Sequence, residues 1–104
     1  MNFFQRIKNQ VKKTIQADAD AYFNRGGVHY TQQKYDLAMA DYNKAIELNP
    51  NYALAYNNRG VLYYQLKQTE KAIIDFKKAA ELFGQQGNMA VCEKVMQVLQ
   101  KLGG

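Results

Sequence analysis

Few residues in this chain of 104 could act as nucleophiles, bases or metal ligands. It has one histidine, His29, one cysteine, Cys92, and no serine. A serine nucleophile is therefore excluded, and no pair of Cys or His has the spacing of a zinc site. Cys92 falls on the apolar face of the last predicted helix, where a cysteine behaves as a small hydrophobic side chain. A lone cysteine cannot form an internal disulfide, which agrees with a reducing compartment.

The carboxylates and glycines do not suggest catalysis either. Asp18 and Asp20 point about 200° apart on a helix and do not form a pair. We interpret Asp41 and Asp75 as solvated helix surface rather than an acid–base pair. The Gly26-Gly27 pair lacks the lysine that follows a phosphate-binding loop. The sequence predicts no enzyme, no metal site and no cofactor.

The strongest pattern in the sequence is an internal repeat. When residues 19–50 are placed on residues 53–84, 34 positions further on, 13 of the 32 pairs are identical. A fixed period in the low thirties predicts a stack of helical hairpins. The identical pairs include Tyr22/Tyr56, Asn24/Asn58, Arg25/Arg59, Gly26/Gly60, Tyr30/Tyr64, Asp41/Asp75 and Lys44/Lys78.

Each copy carries the residues of two packed helices. In the first helix an aromatic residue lies one turn before a glycine, as Tyr22 does before Gly26. Glycine inside a helix costs about 1 kcal/mol relative to alanine, so its presence in both copies predicts close approach of a second helix. That second helix is predicted by a small–large–small stripe. The stripe consists of Ala38, Tyr42 and Ala45, and again of Ala72, Phe76 and Ala79.

Both copies resemble the tetratricopeptide repeat, a helix–turn–helix unit of 34 residues. The resemblance rests on these aromatic, glycine and alanine positions and on Pro50, which closes the first copy. Arg25 and Arg59 depart from the family, which usually has leucine there. His29 stands at a tyrosine position, and we expect it to pack as that tyrosine does.

The resemblance implies an all-α helical hairpin repeat stack, with an N-terminal amphipathic helix before it and a C-terminal capping helix after it. We expect a single domain, 1–104, whose four segments are 1–17, repeat 1 at 19–52, repeat 2 at 53–86 and the capping helix at 87–102. The repeat and capping helices are expected near 20–32, 36–48, 53–66, 70–83 and 88–101. Thr69 and Asn88 are candidate N-caps. Asp18 and Asp20 could cap the first repeat helix, or that helix could continue the N-terminal one without a break.

In the family, the opening helices line a concave groove that receives a peptide or helix of a partner. The resemblance places nine residues of this chain in a peptide-binding groove. They are Phe23, Asn24, Gly27, Tyr30, Asn57, Asn58, Val61, Tyr64 and Gln65. Carboxamides can bond a peptide backbone, and tyrosine offers contact area with little loss of entropy. The alternative is that the tyrosines pack between neighbouring helices and that the carboxamides form a non-specific wet surface.

One sub-type of the family grips the terminal carboxylate of a chaperone with lysines and asparagines. This chain has Phe23 and Gly27 where that clamp needs lysine and asparagine, and it lacks a third repeat. We therefore expect no carboxylate clamp.

The positive charge is concentrated at the N-terminus. The formal net charge is +5, and residues 1–16 contribute four basic residues and no acid. Apolar residues recur there at spacings of three and four, which predicts an amphipathic helix. This helix could fold back on the stack, pair with another copy as a homodimer, or lie on an anionic membrane surface. No specific nucleic-acid binding is expected, since aromatics are not interleaved with the basic residues.

The sequence thus predicts a non-enzymatic protein-interaction module, an adaptor or assembly scaffold. The alternative is a self-associating or membrane-surface module that acts through residues 1–16. No apolar run reaches the length of a membrane span, and the N-terminus lacks the apolar core of a signal peptide. We expect a cytoplasmic protein, or a peripheral one on a membrane that faces the cytoplasm.

Overall fold

The computed structural model describes every residue, 1–104, and consists of five α-helices. They are α1 (Phe3–Thr31), α2 (Tyr35–Leu48), α3 (Ala53–Gln65), α4 (Thr69–Gln85) and α5 (Met89–Leu102). Each helix packs on the next one along the chain, and α1 also touches α3. The prediction of an all-α stack of helical hairpins is confirmed. No helix combines the length and the apolar character needed to cross a membrane.

The N-terminal segment and the first repeat helix are one helix of 29 residues. The side chain of Asn2 caps it by accepting a hydrogen bond from the Gln5 N–H at 2.8 Å. No proline or glycine interrupts the chain before Gly26. Of the two alternatives, the continuous helix is the one observed. Asp18 and Asp20 therefore do not cap a helix.

The N-terminal half of α1 does not fold back on the stack. Residues 1–15 are all exposed, and Phe3 and Phe4 at the tip are 70% and 73% exposed. The alternative in which this segment seals the stack or fills its groove is therefore wrong for this structure.

The other predicted caps are also corrected. Thr69 is the first residue of α4 rather than its cap, and the cap position belongs to Gln68. Asn88 does precede α5, but its side chain makes no capping hydrogen bond. Both repeat turns use a residue with positive φ, Gln33 and Lys67, each at 61°. These two turns are equivalent, so the repeat extends to the backbone conformation.

The core forms where the second helix of each hairpin meets the helices around it. The predicted stripe is buried in full, with Tyr42 at 1% and Phe76 at 4% exposure. The glycines permit this contact: a Cβ on Gly26 would lie 2.8 Å from the Tyr42 ring, and one on Gly60 3.0 Å from the Phe76 ring. The predicted close approach is therefore confirmed.

Helix α5 closes the C-terminal side of the stack. Its buried residues Cys92, Val95 and Leu99 join the cluster around Phe76 and Phe83. Cys92 is an unpaired, buried cysteine, in agreement with its predicted packing role. The predicted capping helix is thus present.

Candidate peptide-binding groove

Two ion pairs fix the hairpins that carry the candidate groove. Arg25 donates from Nε to both oxygens of Asp41 at 3.1 Å and from Nη2 to Oδ1 at 2.6 Å. Arg59 donates to Asp75 in the same way, from Nε at 2.7 Å and from Nη2 at 2.8 Å. The two carboxylates are buried, at 3% and 2% exposure. The interpretation of Asp41 and Asp75 as solvated surface was therefore wrong.

The sequence itself carries a signal for these pairs. Arginine and aspartate recur in both copies at a separation of 16 residues. Arginine stood at a position where leucine is usual, so a polar partner on the facing helix was needed. A repeated departure from an apolar pattern, together with a repeated acid on the next helix, indicates a buried pair.

His29 joins the first pair. Its Nδ1 lies 2.8 Å from Asp41 Oδ2, the oxygen that also accepts from Arg25 Nε at 3.1 Å. The hydrogen bonds from Arg25 lower the pKa of the Asp41 carboxyl; burial opposes this effect, and the contact with His29 adds to it. His29 is half-buried, in agreement with the expectation that it packs where the family has tyrosine. Its polar contact with Asp41 was not predicted.

The predicted groove residues lie on α1 and α3, and none of them is buried. Asn24, Tyr64 and Gln65 are exposed. The remaining six have intermediate exposure: Phe23, Gly27, Tyr30, Asn57, Asn58 and Val61. No other helix of the chain covers this face completely, so it remains accessible to a ligand.

Part of this surface forms a small cleft between the repeats. Its volume is about 140 Å³, and its walls are Tyr30, Tyr42, Asn58 and Val61. Three of these four are predicted groove residues; Tyr42 belongs to the core of the first hairpin. Burial raises the pKa of the Tyr42 phenol, and the neighbouring Asn58 side chain opposes that rise. A Cβ on Gly27 would lie 4.0 Å from Tyr42 Oη, which places the Gly27 backbone close to the cleft.

Two of the candidate aromatic residues also contribute to packing. The ring centroid of Phe23 lies 6.0 Å from that of Tyr42 and 5.1 Å from that of Tyr52. The Tyr30 ring lies 5.6 Å from the Tyr35 ring. By contrast, Tyr64 is 52% exposed. The rings of Phe23 and Tyr30 therefore pack against neighbouring aromatic rings of the chain, whereas the Tyr64 ring is accessible to a ligand.

The join between α1 and the turn before α3 is polar. Tyr52 donates from its hydroxyl to Asp20 Oδ1 at 2.5 Å, and Gln16 donates to the same oxygen at 2.8 Å. Burial, with the adjacent Asp20 carboxylate, raises the pKa of Tyr52. These bonds connect α1 to the turn that precedes α3. No group of three or more His, Cys, Asp or Glu side chains is arranged to hold a metal ion.

The fold and this open face define a helical-hairpin repeat protein. Residues 28–67 match the family model described as TPR repeat, and residues 53–85 match the model described as Tetratricopeptide repeat. Together the matches run from residue 28 to residue 85, more than half of the chain. The chain belongs to the tetratricopeptide-repeat family. Among curated proteins, none matches it.

Solved structures of the same family share the fold. The tetratricopeptide repeat domain protein of Salinibacter ruber has a TM-score of 0.76 and 22% identity, over 84% of this chain and 97% of that one. The TPR2B domain of yeast Sti1, in complex with pHsp70, has a TM-score of 0.76 and 27% identity. The match covers 83% of this chain and 69% of that one. The TPR2AB domain of yeast Sti1, in complex with pHSP90, has a TM-score of 0.74 and 26% identity. The match covers 84% of this chain and 34% of that one.

Proposed function

We propose that this protein is a non-enzymatic interaction module, an adaptor or assembly scaffold, which holds a peptide or helix of a partner protein against α1 and α3. The observation that carries the proposal is the accessible face of these helices. Its nine candidate residues are all exposed or half-buried, and they surround the cleft at Tyr30, Asn58 and Val61. A cytoplasmic location remains a prediction from the sequence.

The similar structures support this function. The tetratricopeptide fold is in general a non-enzymatic interaction fold, and the Sti1 domains, at 26–27% identity, are described as complexes with pHsp70 and pHSP90. A helical repeat stack can bind a partner protein through a surface that its own helices leave open, and this requires no catalytic residue. The chain has such a surface, and it offers few residues for chemistry.

The chemistry of the face indicates what kind of segment it would accept. All nine candidate residues are uncharged. The cleft of about 140 Å³ is similar in size to cavities of ~150 Å³ that accept a benzene ring. One leucine or phenylalanine side chain of a partner would fill it, while Asn57 and Asn58 bond the main chain of the ligand. A few anchors of this type dominate the affinity of peptide recognition.

A displayed library of random peptides tests the proposal, since no ligand needs to be assumed. Peptides enriched on the intact chain are measured against Val61→Arg and Tyr64→Ala. The matched control is Ile74→Arg, because Ile74 is an apolar residue on α4 that is 66% exposed. Both groove substitutions are expected to weaken binding at least about tenfold, the scale of losing one anchor side chain. Enriched peptides that bind both groove variants as well as the intact chain would place the binding surface elsewhere.

An acidic peptide with a free terminal carboxylate tests the absence of a carboxylate clamp. Phe23 and Gly27 supply no cation for such a group, and the face around them is neutral. We expect the acidic peptide to bind no better than the same peptide with an amidated terminus. A clear preference for the free carboxylate would contradict this part of the proposal.

A further inference from the structure

The N-terminal half of α1 has nothing to pack against. Helix α2 runs alongside α1 and ends at Leu48. The first side-chain hydrogen bond from α1 to a residue that follows it in the chain is at Gln16, whose Oε1 accepts from Asn49 at 2.7 Å. Residues 3–15 lie beyond this point, are all exposed, and extend for roughly 20 Å.

This projecting segment has two chemically different faces. Five apolar residues lie within a sector about 120° wide on an ideal helix. They are Phe3, Phe4, Ile7, Val11 and Ile15, and each is at least 39% exposed. Lys8 and Lys12 lie beyond one margin of the sector, and Arg6 and Lys13 lie beyond the other. No acidic residue occurs before Asp18.

We propose that residues 3–15 bind the surface of an anionic membrane as an interfacial helix. The apolar sector enters the boundary between headgroups and acyl chains, and the basic side chains at both margins meet the headgroups. The positive charge of this segment favours an anionic membrane as its binding partner. Each basic residue held near an anionic bilayer strengthens the binding, and four of them act together here.

The same charges disfavour a second copy of the chain. Pairing two apolar sectors would bring the four cations of each copy towards those of the other, without an acid before Asp18 to compensate. Like charges across an interface are costly. A helix lying flat places its apolar sector against the bilayer, and the long basic side chains on both sides of the sector can reach back to the headgroups.

The continuity of α1 connects this surface to the groove. On an ideal helix, Gly27 lies on the opposite side of α1 from the centre of the apolar sector. Because α1 is one uninterrupted helix, a membrane-bound N-terminal half would hold the stack at the bilayer with the groove face turned away from it. The groove would then be open to a partner from the aqueous side. This inference does not depend on the groove binding a peptide.

Co-sedimentation of the full chain with vesicles tests the inference. Vesicles of phosphatidylcholine mixed with phosphatidylserine are compared with vesicles of phosphatidylcholine alone. The charge variant is Lys8→Glu with Lys12→Glu, and its matched control is Lys77→Glu with Lys94→Glu on exposed positions of α4 and α5. Each pair lowers the formal net charge from +5 to +1. A third variant, Ile7→Ser with Val11→Ser, changes the apolar sector at constant charge.

We expect the intact chain to bind the phosphatidylserine vesicles selectively. The charge variant and the apolar variant should each lose at least about tenfold in partition coefficient, and the control should lose less than about twofold. Circular dichroism of each variant verifies that the stack is folded, which we expect since residues 3–15 do not contact it.

Three results would overturn the inference. The first is no binding to the mixed vesicles. The second is an equal loss in the control on α4 and α5, which would reflect net charge alone. The third is a dimer in sedimentation velocity that Ile7→Ser with Val11→Ser dissociates, with no vesicle binding, which would make a second copy the occupant. Peptides selected on the groove should bind the Lys8 and Lys12 variant normally, so failure of one proposal is distinguishable from failure of the other.

Discussion

Arg59 and Asp75 form a two-point ion pair that joins α3 to α4, and Arg25 and Asp41 join α1 to α2 in the same way. The two pairs differ in their contact with water. The Arg59 side chain is 20% exposed, whereas that of Arg25 is 60% exposed. Because water screens an ion pair, the pair in the second hairpin should be the more strongly coupled one.

A double-mutant cycle on the second pair measures this coupling. Arg59→Met and Asp75→Asn should each lower the free energy of unfolding by about 2–3 kcal/mol, since each leaves a buried polar group with an unsuitable partner. The double variant should be more stable than the sum of the two losses predicts, by about 1–2 kcal/mol. Urea denaturation of the four proteins provides the values. The equivalent cycle on Arg25 and Asp41 is the control, and a larger coupling there would contradict the argument from exposure.

The adjacent glycines Gly26 and Gly27 should respond in opposite ways to alanine. A Cβ on Gly26 would lie 2.8 Å and 2.9 Å from two atoms of the Tyr42 ring, which is buried. We expect Gly26→Ala to lower the free energy of unfolding by about 1–3 kcal/mol in spite of the better helix propensity of alanine. A Cβ on Gly27 would have only Tyr42 Oη within reach, at 4.0 Å. Gly27→Ala should therefore stabilise the protein by up to about 1 kcal/mol.

Thermal and urea unfolding of these two variants tests the close approach of α1 and α2. Two variants with the same sign of effect would show that helix propensity, not contact with Tyr42, governs both positions.

The stability contributed by Asp41 should depend on pH. The hydrogen bonds from Arg25 lower the pKa of Asp41 in the folded state below its ordinary value. A group with a lowered folded pKa contributes stability above its unfolded pKa, about 3.9, and that contribution is lost as the pH falls through the folded pKa. Asp41→Asn should therefore cost more stability at about pH 6 than at about pH 2.

Urea denaturation at the two pH values compares this variant with the intact chain. Asp36→Asn, at an exposed carboxylate of α2, is the matched control and should show a small effect at both pH values. Arg25 and His29 are the charged or titratable groups in contact with Asp41. An undiminished cost of Asp41→Asn at low pH would mean that the carboxylate acts through packing rather than through its charge.

Much of the fold was predictable because its signals are local and repeated. Each alanine–aromatic–alanine stripe spans two turns of one helix, and each glycine lies one turn after an aromatic residue of its own helix, so helix periodicity places each set on one face. The sequence also excluded a serine nucleophile, and it indicated that Cys92 would pack as a hydrophobic residue. These conclusions required no knowledge of how distant residues meet.

What depended on the crossing of two helices was not predictable to the same degree. The repeated arginine and aspartate pointed to a buried pair, but its geometry depends on how α1 and α2 are set against each other, because 16 residues separate Arg25 and Asp41 along the chain. The candidate groove is an intermediate case. The repeat placed Phe23 and Tyr64 on the same surface. The tertiary structure shows that the Phe23 ring packs against Tyr42 and Tyr52, whereas Tyr64 is exposed.

The sequence by itself determined two hairpins, the face on which each helix packs, the basic amphipathic character of the N-terminus and the scarcity of residues for chemistry. The tertiary structure decided that α1 is one helix, that its first half is uncovered and that the two aspartates are buried in ion pairs. The physical reason is that an amphipathic pattern specifies which face of a helix avoids water. It does not specify what covers that face, which depends on where the neighbouring helix ends.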